Sequence, residues 1–234
     1  MNVCFDISHS HFQIDAVTIA SHVLLFALLA LSFSYSLAKY PSPLQDFCVA
    51  DLNSNVFVIG FVCKNPKHAA PDDFIAHGLD KPGNTSNPQG FAVTPVFVEQ
   101  LVGLNTLGVS LARLDCIPYG LIVNHYHPCV TEIMTVLEGK LYIGFVTSTP
   151  DFKLFAKIVK KGDMCLSSPK GLVHFQFNYG AKKAVAISGL GSQDPGVVLV
   201  PNANFSSNPP INDGILAKAF QLDKKIIDYL QSKF

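Results

Sequence analysis

Three metal-ligating side chains fall within one short stretch of this chain: His125, His127 and Glu132, inside the run from Tyr119 to Gly139. Successive side chains of a strand alternate faces, so the imidazoles of His125 and His127 project the same way. Under strict alternation Glu132 would face the other way, so Pro128 and Cys129 are expected to form a bulge or turn that re-aims it. Gly139 is expected to close the run as a hairpin turn. His174 supplies a fourth ligand. It follows turns at Lys161–Gly162–Asp163 and Pro169–Lys170–Gly171, after which alternation puts His174, Gln176 and Asn178 on one side and Phe175 and Phe177 on the other. A polar strand face among apolar neighbours suggests a barrel lumen lined for a ligand. Three imidazoles and a carboxylate suit a divalent ion. A six-coordinate ion would keep two positions open and a tetrahedral one would be closed; the residue types fit Mn, Fe, Ni and Zn alike.

The rest of the chain predicts an all-β fold with a helical tail. From Ala92 to about Val200, short β-rich runs alternate with turns and no helices intervene, which indicates a sandwich or jelly-roll barrel. Thr106 to Leu114 sets Leu107, Val109 and Leu111 against polar or small partners, and Lys140 to Val146 and Ala184 to Ser188 also read as strands. Gly214 to Phe234 instead carries Ile215, Leu216, Ala219, Phe220, Ile226, Ile227 and Leu230 at helical spacing. The 234 residues are 49% hydrophobic and 15% charged, enough for one domain with a full core. The net charge is zero and no basic run of five occurs, so nucleic acid binding has no electrostatic footprint.

Val23 to Ala38 is an apolar run with small residues at Ser36 and Ala38, suited to signal-peptidase cleavage near Lys39. It is shorter than the roughly 20 residues a spanning helix needs, so residues 1–38 are expected to be a leader and the mature chain to have no membrane span. The leader is atypical, because residues 1–22 hold Asp6 and Asp15 but no Lys or Arg. Beyond it Cys48, Cys63, Cys116, Cys129 and Cys165 remain, an odd number that cannot all pair. Cys129 reads as a small hydrophobe rather than a metal thiolate, and Cys116 and Cys165 as core. Asn84 and Asn204 begin glycosylation sequons, with Asn84 favoured by its polar loop.

Together the segments around His125 and His174 resemble the two motifs of the cupin superfamily. Gln45 to Asp51, Asn105 to Ser110, Gly171 to Asn178, Gly191 to Gly196 and Leu216 to Phe220 extend the resemblance to plant germin-like proteins over residues 41–234. It implies a cupin jelly-roll β-barrel over residues 91–200, an N-terminal arm over 39–90 pinned by a Cys48–Cys63 disulfide, and a C-terminal helical extension over 201–234. It also implies manganese(II) on His125, His127, Glu132 and His174. The partner implied is a second copy: a homohexamer, as a trimer of dimers, secreted to the apoplast or cell wall and linked to defence.

The activities implied by the resemblance are superoxide dismutation and oxalate oxidation. Two asparagines hold oxalate in germins; Asn105 matches one and the other falls at Ile122, with Asn124 and Asn178 as further pocket candidates. Losing one hydrogen-bond donor would cost about 1–3 kcal/mol in substrate binding, which argues against oxalate. Tyr119 and Tyr126 also depart from the family pattern, and one extra residue between Gly162 and Pro169 requires a bulge. Two other functions fit: an extracellular matrix glycoprotein or receptor with a structural metal, for which Lys161–Gly162–Asp163 is compatible but more simply a β-turn; and binding of a small acid or nucleotide sugar.

Overall fold

The computed structural model describes residues 21–27 and 45–234, apart from 57 and 59. Most of the expected leader lies outside the described residues; within it, residues 21–27 are helical. Among the described residues no helix is long and apolar enough to cross a membrane.

Among the described residues ten strands form two five-stranded antiparallel sheets. The first has the order β1 (Phe91–Val96), β2 (Ser110–Cys116), β9 (Ala184–Leu190), β4 (Glu132–Glu138) and β7 (Met164–Ser168). The second has the order β10 (Val198–Leu199), β3 (Leu121–Tyr126), β8 (His174–Phe177), β5 (Lys140–Val146) and β6 (Leu154–Lys160). Most consecutive strands lie in opposite sheets, so the chain repeatedly crosses over the core, which is the jelly-roll pattern. Pro95 is tolerated because β1 is an edge strand, where a missing N–H interrupts no ladder.

The two inner faces close on one apolar core. Ala112, Leu114, Met134, Val136 and Ala186 of the first sheet meet Ile122, Leu141, Ile143 and Val159 of the second, all under 9% exposed. Cys116 belongs to this core, and burial pushes its thiol up to about 12. Cys165 is partly buried against it.

Two expectations change. Gly139 makes no hairpin: β4 and β5 lie in different sheets, and the glycine, at φ +73°, is the corner between them. A Cβ there would stand 2.5 Å from the Lys183 carbonyl oxygen. The strand expected from Thr106 begins only at Ser110, and Leu107, Val109 and Leu111 are exposed, because Ala112 and Leu114 hold the inner face. The C-terminal stripe is helical as expected, in two helices separated where Gln221 adopts φ +55°.

The arm is joined by the expected Cys48–Cys63 disulfide, whose ends are 15 residues apart, worth about 3 kcal/mol by chain entropy. Asn105, fully buried, braces it: its amide donates to the Phe61 carbonyl at 2.8 Å and accepts from Gln193 at 2.9 Å. Further along, residues 79–83 cover the outer face of β2. There Arg113 grips Asp115 through two bonds of 2.7 and 2.8 Å and donates to the Leu79 carbonyl, while the Gly83 amide donates to Asp115. After β10 come α1 (Val200–Phe205), α2 (Asp213–Phe220) and α3 (Lys224–Gln231). Only Leu216 and Ile227 of α2 and α3 are buried; Ile215, Phe220, Ile226 and Tyr229 stay exposed.

Candidate metal centre

His125, His127, Glu132 and His174 converge, all buried, with one ligand atom of each within 4.8 Å of the others. Three strands deliver them. His125 is near the end of β3 and pairs with His174, the first residue of β8, while His127 lies just past β3 and Glu132 opens β4 in the other sheet. Pro128 and Cys129 form the expected turn rather than a bulge: the bend there carries the chain from β3 into the other sheet and so turns Glu132 toward the two histidines. A bulge does occur nearby, but inside β3: Ile122 faces Gln176 and His125 faces His174, so β3 has one residue more than β8 over this interval. It lets Ile122 and His125, three apart, both point inward, and it leaves Asn124 exposed.

A second bulge meets the expectation. Glu132 pairs with Ser168 but Ile133 with Leu166, so Ser167 is the additional residue, and its hydroxyl donates to the Glu132 carbonyl at 3.2 Å. The ladder is disturbed at one residue and Glu132 keeps its inward face.

Each imidazole is oriented by a backbone carbonyl. Nδ1–H of His125 donates to the Val123 oxygen at 2.7 Å, that of His127 to Gly196 at 2.6 Å, and that of His174 to Leu172 at 3.1 Å. A carbonyl oxygen only accepts, so Nδ1 carries the proton in all three rings and Nε2 of each neutral ring is a bare lone pair. His174 Nε2 lies 3.1 Å from Glu132 Oε2 and His127 Nε2 lies 3.9 Å from it. Two electron-rich atoms that close require a positive charge between or upon them, a proton or a metal ion. Outer hydrogen bonds that fix the tautomer are the usual support of metal-binding histidines. The donor set therefore fits a divalent cation held by three Nε2 atoms and one carboxylate.

The electrostatics agree. Burial pushes the His125 and His127 pKa values down, the neighbouring His174 adding to the effect. Burial alone would raise the Glu132 carboxyl, but the hydrogen bond and charge of His174 outweigh it and hold Glu132 well below the usual range. Groups whose folded pKa is lowered favour folding above the unfolded pKa and stop doing so as pH falls. The metal-free protein is thus expected to lose stability steadily below about pH 6.5, where an unfolded histidine takes a proton that buried His125 and His127 refuse. Urea midpoints from pH 8 to 5 check this; a flat profile would contradict it.

A cavity of about 300 Å³ opens beside the centre. His125, His127 and Glu132 reach its wall, and every other lining residue is apolar or glycine, including Phe91, Phe97, Leu114, Ile122 and Leu190. None of the three asparagine candidates lines it. Asn105 is committed to the arm, Asn124 faces outward, and Asn178 is bonded to the turns at the other end of β8. The resemblance suggested Asn105, and residue type close to a ligand in sequence suggested Asn124 and Asn178; the contacts each side chain makes, set by a bulge and two loops, were not legible. Gln176 is the polar residue those candidates left out. It is fully buried on the same face as His174, and neither polar atom of its carboxamide has a hydrogen-bond partner among the described residues. Its alternation with His174 was the available signal. Cys129 is exposed, unpaired and outside the ligand cluster.

Residues 77–228 match the family described as Cupin. Germin-like protein 8-2 of Oryza sativa subsp. japonica is 60% identical over 216 residues, covering 92% of this chain and 97% of the relative. Putative germin-like protein 2-1 of the same organism is 58% identical over 210 residues, covering 90% and 97%. Among solved structures, an oxalate oxidase in complex with the substrate analogue glycolate superposes with a TM-score of 0.81 at 43% identity, covering 83% of this chain and 98% of that one. With the jelly roll, the arm disulfide and the His₃Glu cluster already in place, these likenesses make the chain a germin-like member of the cupin family.

Proposed function

We propose that this chain is a secreted germin-like metalloprotein that holds one manganese(II) through His125, His127, Glu132 and His174 and acts on a small oxygen species such as superoxide. The observation that carries this reading is the contrast between the convergent donors and the apolar cavity beside them. Bound manganese supplies one-electron chemistry. The chain's part is to fix the three rings through Val123, Gly196 and Leu172, to keep Glu132 ionised, and to exclude bulk water with Phe91, Phe97, Ile122 and Leu190. A dicarboxylate entering the cavity would leave its outer carboxylate without a side-chain donor, a desolvation cost that a compact oxygen species largely avoids. Oxalate, the substrate named for the structural relative, is therefore not the substrate proposed here.

Secretion is supported by the apolar run ending near Ala38, and glycosylation at Asn84 by its exposure. Asn204 is the poorer acceptor, since its side-chain nitrogen already donates to the Val200 carbonyl at 2.7 Å within α1. Assembly as a homohexamer is supported by the uncovered apolar residues of α2 and α3. The test is superoxide and oxalate turnover by the purified secreted protein before chelation, after it, and after manganese is restored. Superoxide consumption that follows the metal, with no peroxide from oxalate, is the expected result. Oxalate oxidation would overturn the substrate assignment. A stable oligomer inactive in both assays would favour the matrix role with a structural metal.

A further inference from the structure

At the end of the barrel away from Glu132, roughly 20 Å along β4, the sheets close over a cleft of about 280 Å³. It is lined by Gly139, Lys140, Lys160, Gly180, Ala181 and Lys182. Lys140 and Lys160 are direct partners across β5 and β6, and all three lysines are exposed. Among the described residues none of their ammonium groups has an ion-pair partner. The nearby acids are otherwise engaged: Glu138 pairs with Lys183 at 3.2 Å, and Asp163 accepts from the Lys160 backbone N–H at 2.9 Å. In a protein of zero net charge, this leaves one end of the barrel locally cationic.

An aromatic strip begins at the cleft. Tyr179 precedes Gly180 and meets Phe177 edge-on at 6.1 Å, and Phe177 meets Tyr119 at 6.5 Å. Tyr142, two residues from Lys140 on the same strand face, pairs across the sheet with Phe177. Tyr119 and Tyr179 are 70% and 58% exposed, large rings left in water. Tyr119 is also held at φ +62°, a left-handed conformation unfavourable for a residue with a side chain. Asn178 maintains the arrangement. Fully buried, it donates to the carbonyls of Cys116, Ile117 and Lys182 and accepts from the Gly180 amide, tying the turn that carries Tyr119 to the turn that carries Lys182.

We propose that this cleft and strip bind a uronate-bearing glycan. Tyrosine rings present flat apolar faces that suit the C–H faces of pyranose rings, with hydroxyls at the edge, and the three ammonium groups pair with carboxylates beside them. Single-stranded nucleic acid offers stacking and charge too, but its binders spread cations along a track, whereas these are gathered at one end. The site is separate from the metal centre and does not depend on it.

The test is retention and calorimetric binding of the full secreted protein on polygalacturonate, against neutral dextran, inorganic phosphate and a single-stranded oligonucleotide. The wild type is expected to bind polygalacturonate and not dextran, with affinity falling as salt rises. The Lys140→Ala/Lys160→Ala/Lys182→Ala variant should weaken binding by on the order of tenfold. Tyr119→Ala/Tyr179→Ala should weaken it comparably at constant charge. Both variants should keep the wild-type metal content and melting temperature, which shows that they are folded. Unchanged binding in the lysine variant would overturn the proposal. Phosphate competing as well as uronate, with no effect of the tyrosine variant, would reduce the site to a simple anion cleft. Preference for the oligonucleotide would overturn the glycan assignment.

Discussion

His174→Ala is expected to lose its metal. The side chain supplies one of four ligands, is fully buried, and holds Glu132 at 3.1 Å through Nε2. Removing it takes away a nitrogen donor and also leaves the buried Glu132 carboxylate without its closest polar partner, a situation that favours protonation of Glu132 over metal binding. Disturbing the outer hydrogen bonds of a metal site already lowers affinity by about 10–100-fold, so loss of a ligand should exceed about 100-fold. Elemental mass spectrometry should find about one metal per chain in the wild type and little in the variant, and chelator should lower the melting temperature of the wild type alone. A variant that retains a full complement of metal would show that His174 is not a ligand.

Asp115→Ala is expected to produce the largest loss of stability outside the metal centre, about 3–5 kcal/mol. Arg113 and Asp115 have side chains only 10% and 7% exposed, and the variant strands a guanidinium under the 79–83 segment while depriving the Gly83 amide of its acceptor. Burial would raise the Asp115 carboxyl, but the bonds from Arg113 and Gly83 outweigh it and the net shift is downward. The pair therefore stabilises fully above about pH 4, the unfolded aspartate value, and the contribution fades as pH falls through the lower folded one. Urea denaturation at pH 7 measures the loss. The double variant Arg113→Met/Asp115→Leu should recover most of it, since a buried pair replaced by apolar groups of similar size is often neutral. A single variant within about 0.5 kcal/mol of wild type would show that the pair is solvated.

The ligands were legible because each is a strong chemical type in a short local pattern, and burial adds that nothing else competes for the centre. The extra residue before Pro169 was legible as a bulge because a one-residue excess in a strand has few other outcomes, and Ser167 fills that role. The bulge in β3 was not, since Val123 and Asn124 carry no glycine or proline to mark it, and with it went the direction of Asn124. Gly139 showed its left-handed preference in the sequence, but that preference serves a sheet-crossing corner as well as a hairpin. Asn178 was visible as an inward polar residue in line with β8; that it organises the far end of the barrel depends on the 117–120 and 180–182 turns meeting there, a long-range contact that alternation does not encode.

The central claim is that three Nε2 atoms and one carboxylate hold a single manganese. X-ray absorption on the metal-loaded protein tests it most directly, because it counts the atoms around the ion. Three imidazole nitrogens, with oxygen making up the remainder and no sulfur, is the result predicted. A sulfur neighbour, or a single imidazole, would contradict the assignment.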